Sequence, residues 1–149
     1  MSVILEFVVD GRAIPKGSMR HVGGGRMVDQ TNVRPWMRAV GAAAIVAANS
    51  TGLWQITTPV EVEVCAYFSR PANQYRTGRY AGLLRDDAPP VPCTRAQGDA
   101  DKLVRAVLDA LEQAGVLADD SLVADQIGRK RWAVDGVDRA HVVIREVTL

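Results

Sequence analysis

The chain has 149 residues, of which 48% are hydrophobic and 23% charged, and its formal net charge is +1. This balance is that of an ordinary globular domain with one hydrophobic core. No apolar run approaches the roughly 20 residues that span a bilayer, and the N-terminus lacks the pattern of a secretory signal, so we expect a cytoplasmic protein. The two isolated cysteines exclude a disulfide framework and a CxxC metal site, and we expect Cys65 in the core.

Charge is distributed unevenly along the chain. Residues 11–40 carry six basic side chains and one acid, whereas residues 106–128 carry five acids and no base. Three basic residues then follow at 129–131. A phosphate-binding surface around an acidic metal pocket would produce this separation, because phosphates attract cations and a metal ion needs carboxylates. Solvated surfaces of opposite charge are the alternative interpretation.

The first part of the chain predicts a strand, a hairpin loop and a helix. Val3 to Val9 is a short apolar run rich in β-branched residues, which favours a buried strand. Three consecutive glycines at 23–25 favour a flexible loop or a hairpin tip. A helix is predicted from a cap at Thr31 or Asn32 to about Asn49. Its buried side is predicted to consist of four residues, Trp36, Val40, Ala44 and Ala47.

The middle of the chain predicts the clearest strand and the longest loop. Residues 60–68 alternate between apolar and mostly polar side chains, the pattern of a strand. Residues 70–97 contain four prolines and five arginines and show no sustained periodicity. We expect a long surface loop there, and its arginines favour contact with a phosphate backbone.

The last third predicts a second helix and two strands. Asp101 to Ala114 has the apolar spacing of an amphipathic helix, with Gly115 as its stop. Val123 to Trp132 and Ala140 to Val147 are predicted strands, joined by a turn at Asp135-Gly136. The whole chain, 1–149, is thus predicted to be a single α+β domain with a mixed sheet and two main helices, in the order β-β-α-β-α-β-β.

Four aspartates flank the predicted second helix. Asp99 and Asp101 stand at its start, and Asp119-Asp120 follow its end. Converging carboxylates repel one another, and Mg²⁺ removes that cost while supplying the chemistry of phosphodiester hydrolysis. Each pair also has a simpler explanation, a helix cap for the first and a turn for the second. The helix is about 15 to 20 Å long, so the pairs meet only if the chain folds back or across a dimer axis, and the sequence leaves both open.

Two groups of residues have spacings found together in one protein family. The N-terminal group is Pro15-Lys16-Gly17-Ser18-x-Arg20. The second group comprises Asp99, Asp101, Leu103, Arg105, Leu108-Asp109-Ala110-Leu111, Gly115-Val116 and Asp119-Asp120-Ser121-x-Val123. The combined pattern resembles the RusA family of Holliday junction resolvases, many of them encoded by phages or prophages.

The resemblance implies a homodimer that acts on four-way or other branched DNA in a bacterial or phage-infected cell. It implies Mg²⁺ as cofactor, for which Mn²⁺ can substitute, with Asp99, Asp101 and Asp120 as its catalytic ligands. Arg105 would be a further catalytic residue that stabilises negative charge in the transition state. The basic residues expected to hold DNA are Arg12, Lys16, Arg20, Arg26, Arg76, Arg79, Lys102 and Lys130.

The chain departs from the family pattern beside the aspartates. Lys102 and Arg105 stand where the family usually has Asn and Lys, and Gly98 replaces a frequent Pro, which we treat as a minor change. Arginine keeps the charge but cannot give up a proton, so an electrostatic role remains and a general-acid role does not. We expect Asp109 to form a helix-surface ion pair with Arg105, one turn away.

Three other functions stay open at this point. The first is a broader nuclease that cuts flaps or replication forks with the same chemistry. The second is a protein that binds junctions without cutting them, because the changes at Lys102 and Arg105 have damaged the site. The third is a structural or interaction module in which the acids are only caps and turns.

Overall fold

The computed structural model describes residues 2–17, 32–147 and 149, together with the backbone of 19–21 and 27–29. The helices and strands within these residues are β1 (Val3–Asp10), β2 (Met19–His21), β3 (Met27–Asp29), α1 (Arg34–Thr51), β4 (Val60–Phe68), α2 (Ala100–Gln113), β5 (Val123–Trp132) and β6 (Arg139–Glu146). This order agrees with the predicted strand, hairpin, helix, strand, helix and two strands.

Four strands form one mixed sheet with the spatial order β1-β6-β4-β5. β4 and β5 are parallel, whereas β6 is antiparallel to both β1 and β4. β2 and β3 pair with each other as a separate antiparallel hairpin. The predicted glycine-rich tip at 23–25 lies outside the described residues. The predicted α+β class, a single domain with a mixed sheet and two helices, is confirmed.

The core lies between the sheet and the two helices. α1 packs on β1 and on α2, and α2 packs on β4 and β5. Alternate residues of β4, beginning with Val60 and ending with Phe68, are completely buried or nearly so. Cys65 is also buried, as predicted. No helix in the described part of the chain is long and apolar enough to cross a membrane.

The buried side of α1 differs from the prediction by one position. Trp36, Val40 and Ala44 are buried as predicted, but Ala47 is only partly buried and Ala48 is buried instead. The buried residues follow a spacing of four, about one helical turn, and that spacing continues from position 44 to position 48.

The start of α1 also differs from the prediction. Val33 is the residue before the first helical turn, and no side chain caps the helix there. Asn32 is therefore not the cap, and Thr31 lies outside the described residues. Val33 is 1% exposed, and its carbonyl accepts a hydrogen bond from the N–H of Met37 at 2.9 Å. Packing of this apolar side chain fixes the helix start, in place of a polar cap.

The segment 70–97 is a surface connection with local order. It has no long helix or strand, as predicted, but short 3-10 turns at Ala72–Gln74, Gly78–Tyr80 and Arg95–Gln97 interrupt it. A bridge between Tyr75 and Leu84 closes its outer part. Its base is attached to the end of β5, where the Trp132 indole donates to the Pro89 carbonyl at 2.9 Å. The contact between Trp132 and Pro89 joins residues 43 positions apart, so periodicity alone does not predict it.

The last third of the chain follows its local signals closely. α2 ends before Gly115, whose φ of +77° is one that glycine adopts without strain. β5 has the predicted limits, and β6 begins and ends one residue earlier than predicted. In the predicted turn, the Val137 N–H donates to the Asp135 carboxylate at 3.1 Å.

Candidate metal and DNA site

The Asp99 carboxylate does not cap the helix that it precedes. Asp99 is the N-cap residue of α2 and has an extended backbone, with φ −84° and ψ 140°, but its side chain makes no capping hydrogen bond. Seventy per cent of the side chain is exposed, and the Lys102 ammonium lies 3.7 Å from its Oδ2. The structure therefore contradicts the capping explanation for this residue and leaves its oxygens accessible.

Asp101 and Arg105 lie one turn apart on the outer side of α2. Both are exposed, and a spacing of four residues places them on the same side of the helix. Neither side chain forms a hydrogen bond or an ion pair with another described residue. An acid in the first turn stabilises a helix through its dipole without any specific partner. This end of α2 thus presents two exposed carboxylates, one of them beside Lys102, together with the exposed guanidinium of Arg105.

The backbone just before Asp99 is held by close packing. Gly98 has φ +76°, and a Cβ at that position would lie 2.5 Å from the ring of Pro15. Its carbonyl accepts a hydrogen bond from the Lys130 ammonium at 2.8 Å. The Arg12 guanidinium donates to the Ala96 carbonyl at 3.0 Å. Gly98 is therefore a structural requirement, which corrects its treatment as a minor change.

The first turn of α2 lies directly on β5. A Cβ at Gly128 would come within 2.9 Å of Val104 and 3.0 Å of the Ala100 carbonyl. Only a residue without a side chain allows the helix to approach this closely. Because Gly128 contacts the start of α2 and Lys130 contacts Gly98, β5 runs toward the Asp99 end of the helix.

Asp119 and Asp120 lie at the opposite end of α2. The Leu117 N–H donates to the Leu111 carbonyl at 3.2 Å, which attaches this loop to the last turn of the helix. Asp119 accepts a hydrogen bond from the Ser121 N–H at 2.8 Å, and this bond lowers the pKa of its carboxyl. The turn explanation therefore applies to Asp119, whereas Asp120 is exposed.

A single chain does not bring the three predicted metal ligands together. α2 has 14 residues, and its length of about 21 Å separates Asp120 from Asp99 and Asp101. Among the described residues there is no group of three or more acidic, histidine or cysteine side chains that could hold a metal ion. In one subunit, the described structure brings only Asp99, Asp101 and Arg105 to the same end of α2.

Four of the predicted DNA-binding residues have partners on α2 or just before it. Arg12 and Lys130 bond to backbone carbonyls, as described above, and the Arg12 guanidinium also lies over the Phe68 ring, 5.1 Å from its centroid. Lys16 lies 3.6 Å from the Asp109 carboxylate, and Lys102 lies beside Asp99. The predicted pair between Asp109 and Arg105 is wrong, because the loop before β2 brings Lys16 to that carboxylate.

Two further predicted DNA-binding residues, Arg76 and Arg79, lie in the 70–97 connection. Arg76 pairs with Asp86 at 2.7 Å, and the exposed Arg79 lies over the ring of Tyr80 at 5.3 Å. The side chain of Arg20 and all of Arg26 lie outside the described residues.

Sequence reasoning missed an ion-pair network on the sheet face opposite the helices. Arg145 contacts Glu61 at 3.0 Å and Glu63 at 2.8 Å, and Arg129 contacts Glu63 at 3.0 Å. These contacts lower the pKa of Glu63, the hydrogen bond from Arg129 most strongly. Two glutamates on alternate positions of an apolar strand are a signal that basic partners face them, but the partners become identifiable only with the strand order.

The fold and the site define a small α+β protein with exposed carboxylates and basic side chains at one helix end, an arrangement suited to acting on phosphates. A family model described as endodeoxyribonuclease RusA matches residues 11–145. The chain belongs to the RusA family, which indicates a junction-resolving endonuclease, a DNA-binding hydrolase of recombination. A search of curated proteins finds none that matches the chain.

Proposed function

We propose that this protein is a Mg²⁺-dependent endonuclease that resolves Holliday junctions as a homodimer, by one phosphodiester hydrolysis in each of two opposed strands. We place it in the cytoplasm of a bacterial or phage-infected cell. One observation carries the proposal. Asp99 occupies a capping position, yet its carboxylate makes no capping bond and remains exposed beside the equally exposed Asp101.

The residues present fit a hard divalent cation. Nucleases of this type generally need such a metal, and Mg²⁺ binds through a few carboxylate oxygens while keeping several waters. Asp99 and Asp101 supply these oxygens at one end of α2. When bound, Mg²⁺ polarises the phosphate and lowers the pKa of a water molecule. We expect Mn²⁺ to substitute, because it accepts the same oxygen ligands.

We infer that the third ligand, Asp120, comes from the partner subunit. Within one chain Asp120 lies beyond the far end of α2, a helix about 21 Å long, whereas the other two aspartates lie at its start. A two-fold axis placed beside α2 would bring the Asp120 end of one subunit to the Asp99 end of the other. Each dimer then has two composite sites, as two symmetric cuts require.

Arg105 is the residue that we propose for transition-state stabilisation. Its guanidinium is exposed and has no partner among the described side chains, so it is available to the phosphate. It stays protonated during the reaction and can donate to two phosphate oxygens as their negative charge increases. The leaving oxygen must therefore take its proton from water or another group.

The predicted DNA contacts divide into two kinds in this proposal. Lys16, Lys102, Arg76 and Arg79 keep part of their side chains exposed, and together with Arg20 and Arg26 we propose them as phosphate contacts. Arg12 and Lys130 are held by the carbonyls of Ala96 and Gly98. We therefore assign these two a positioning role in addition to phosphate attraction. Phosphate contacts carry no sequence information, so junction selectivity should come from shape.

The test of the activity compares four DNA substrates of related sequence. A four-way junction, a flap, a fork and a linear duplex are each incubated with protein and Mg²⁺, and the products are mapped on denaturing gels. We expect paired nicks in the junction alone. Equal cutting of flaps and forks would indicate the broader branched-DNA nuclease. Tight junction binding without cutting would indicate a non-catalytic binding protein, and absence of any DNA preference would overturn the proposal.

The shared site has its own test, which uses mixed dimers. Asp101→Asn and Asp120→Asn chains are co-expressed with different tags, and dimers carrying both tags are purified. If Asp120 acts across the dimer, one site carries both substitutions and the other carries neither, so the mixed dimer nicks one strand per junction. Dimers of either variant alone should not cut. Inactive mixed dimers, with a wild-type mixed-tag control that cuts, would show that Asp120 does not act in trans.

A further inference from the structure

The outer part of the long surface connection is an ordered loop, residues 75–85, which we call the tip. Tyr75 and Leu84 form a β-bridge that closes this loop. The Arg76 N–H donates to the Leu83 carbonyl at 2.7 Å, and the Arg76 guanidinium donates to the Leu84 carbonyl at 3.3 Å. These hydrogen bonds give the tip a defined backbone, so its side chains are held on a fixed support.

The tip presents three large apolar side chains to solvent within five positions. Tyr80 is 50% exposed, Leu83 58% and Leu84 42%. None of the described residues of the tip is buried, so these side chains do not belong to the hydrophobic core. Single exposed apolar residues are common on protein surfaces, but a cluster of them marks a site that binds a partner. The fold therefore does not account for the three side chains, whereas a ligand with apolar surface would.

Arginines stand among these apolar side chains. Arg76 and Arg85 each pair with an aspartate that follows the tip. Arg79 forms no ion pair with a described residue, and its guanidinium lies over the Tyr80 ring. The tip thus offers aromatic and aliphatic surface beside one available cation, rather than a purely basic surface. Unstacked bases joined to phosphates match this combination, whereas a linear duplex keeps the faces of its bases covered.

The base of the tip is attached at the end of the molecule where Asp99 and Asp101 lie. The Arg70 guanidinium lies over the Trp132 ring, 4.9 Å from its centroid, at the end of β5. It also donates to the Pro89 carbonyl at 3.0 Å, the same carbonyl that accepts the Trp132 indole N–H. Because β5 runs toward the Asp99 end of α2, these contacts join the tip to the part of the protein that carries the two carboxylates.

We propose that the tip is a wedge that enters the centre of a branched DNA molecule. The Tyr80 ring and the Leu83 side chain stack against unpaired bases at the branch point, and the Arg79 guanidinium contacts an adjoining phosphate. Apolar side chains enter between base steps in this way in proteins that unstack or kink DNA. The inference rests on the proposed function for its substrate and gives junction selectivity a structural origin, because a linear duplex offers the tip no unstacked base.

Photochemical cross-linking tests the contact directly. Iodouracil is placed either at the branch point of a four-way junction or in the middle of one arm, and each DNA is irradiated with the protein, with Ca²⁺ in place of Mg²⁺. We expect a cross-link to Tyr80, mapped by mass spectrometry, from the branch-point DNA only. Trp54, which is 94% exposed beyond the end of α1, is the matched aromatic control and should not cross-link. Absence of a cross-link to the tip, or equal cross-linking from the arm, would overturn the wedge.

Binding affinities under the same conditions give a second test. Tyr80→Ala should raise the dissociation constant for the junction about tenfold, the loss expected for one stacked base, and leave that for a linear duplex unchanged. Tyr80→Phe keeps the ring, and Trp54→Ala changes a distant surface, so both should bind the junction like the wild type. Unfolding midpoints in urea check that each variant folds. Equal weakening for junction and duplex would indicate a general DNA contact and refute the wedge.

Two further comparisons separate this proposal from its alternatives. If the tip contacts a second copy of the chain instead of DNA, Tyr80→Ala should change the sedimentation of the DNA-free protein, and that result would overturn the wedge. A wild-type protein that cuts junctions, with a Tyr80→Ala variant that binds them normally, would retain the proposed function and refute the wedge. Selective loss of junction binding in Tyr80→Ala, with a wild type that binds junctions but does not cut them, would retain the wedge and refute the nuclease.

Discussion

The two ends of α2 both carry a pair of aspartates, but the two pairs have different local roles. At the C-terminal end, Asp119 binds the Ser121 N–H and forms a turn. At the N-terminal end, Asp99 and Asp101 form no hydrogen bond that their position would ordinarily favour. The comparison shows that the same residue type contributes a local fold contact at one end and remains available for a ligand at the other.

The N-terminal end combines free carboxylates with a tightly held backbone. Gly98 packs against Pro15, Gly128 lies against Ala100, and Lys130 bonds to the Gly98 carbonyl. Such packing limits how far the two carboxylates move, although no residue in the described part of the chain donates a hydrogen bond to their oxygens. A site that must bind a metal ion and a phosphate together gains from this pre-organisation, because the ordering cost is met during folding.

The largest expected effect is a difference in junction cleavage between a variant of Asp99 and a variant of Asp109, a second aspartate nearby in the chain. Asp99→Asn should reduce junction cleavage by about 10³-fold, because loss of a metal ligand costs several kcal/mol in the transition state. Folding should be unchanged, since the exposed Asp99 side chain makes no capping hydrogen bond that the substitution could remove. Asp109→Asn, which removes only the ion pair with Lys16, should stay within about threefold of wild type. Similar losses of kcat/KM in both variants would refute the distinction.

A smaller effect should follow from the packing beneath the site. Gly128→Ala places a methyl group against the Ala100 carbonyl and Val104, and we expect a loss of about 1–3 kcal/mol in unfolding free energy. Cleavage per folded molecule should also fall, because the first turn of α2 must shift. Gly136→Ala, at φ +74° in an open turn, should cost about 1–2 kcal/mol with normal cleavage. Urea unfolding and single-turnover kinetics measure both quantities, and normal cleavage by Gly128→Ala would contradict this account.

Sequence patterns predict the parts of this fold that depend on neighbours in the chain. The limits of α2 to within one residue at each end, its stop at Gly115 and the ten residues of β5 follow from periodicity and turn chemistry. The partner of Asp109 does not, because Lys16 lies 93 positions earlier and arrives through the tertiary fold. The need for glycine at position 98 is likewise set by Pro15, from a distant segment.

The residues of the candidate site show the same difference between local and long-range determinants. Asp99, Asp101 and Arg105 are two to six positions apart, so the first turns of one helix determine their proximity. Asp120 is separated from them by the whole of α2, and in the proposed dimer its approach depends on a partner molecule. The family resemblance identified which carboxylates to consider, whereas the geometry of one chain shows that Asp120 lies apart from the other two.

The smallest expected effect concerns Asp119, at the C-terminal end of α2, and the dependence of folding stability on pH. The Ser121 N–H lowers the pKa of Asp119 in the folded protein. The carboxylate therefore contributes stability above its unfolded pKa of about 3.9, and this contribution is lost as the pH falls through the lower, folded pKa. Asp119→Asn keeps an oxygen that accepts from Ser121 but cannot titrate, so its unfolding midpoint in urea should fall less steeply below pH 4. Asp119→Ala lacks the acceptor and should be less stable at neutral pH as well. An acid limb of unchanged slope in Asp119→Asn would show that the turn contributes nothing to acid sensitivity, and the contrast between the two ends of α2 would then rest on the N-terminal carboxylates alone.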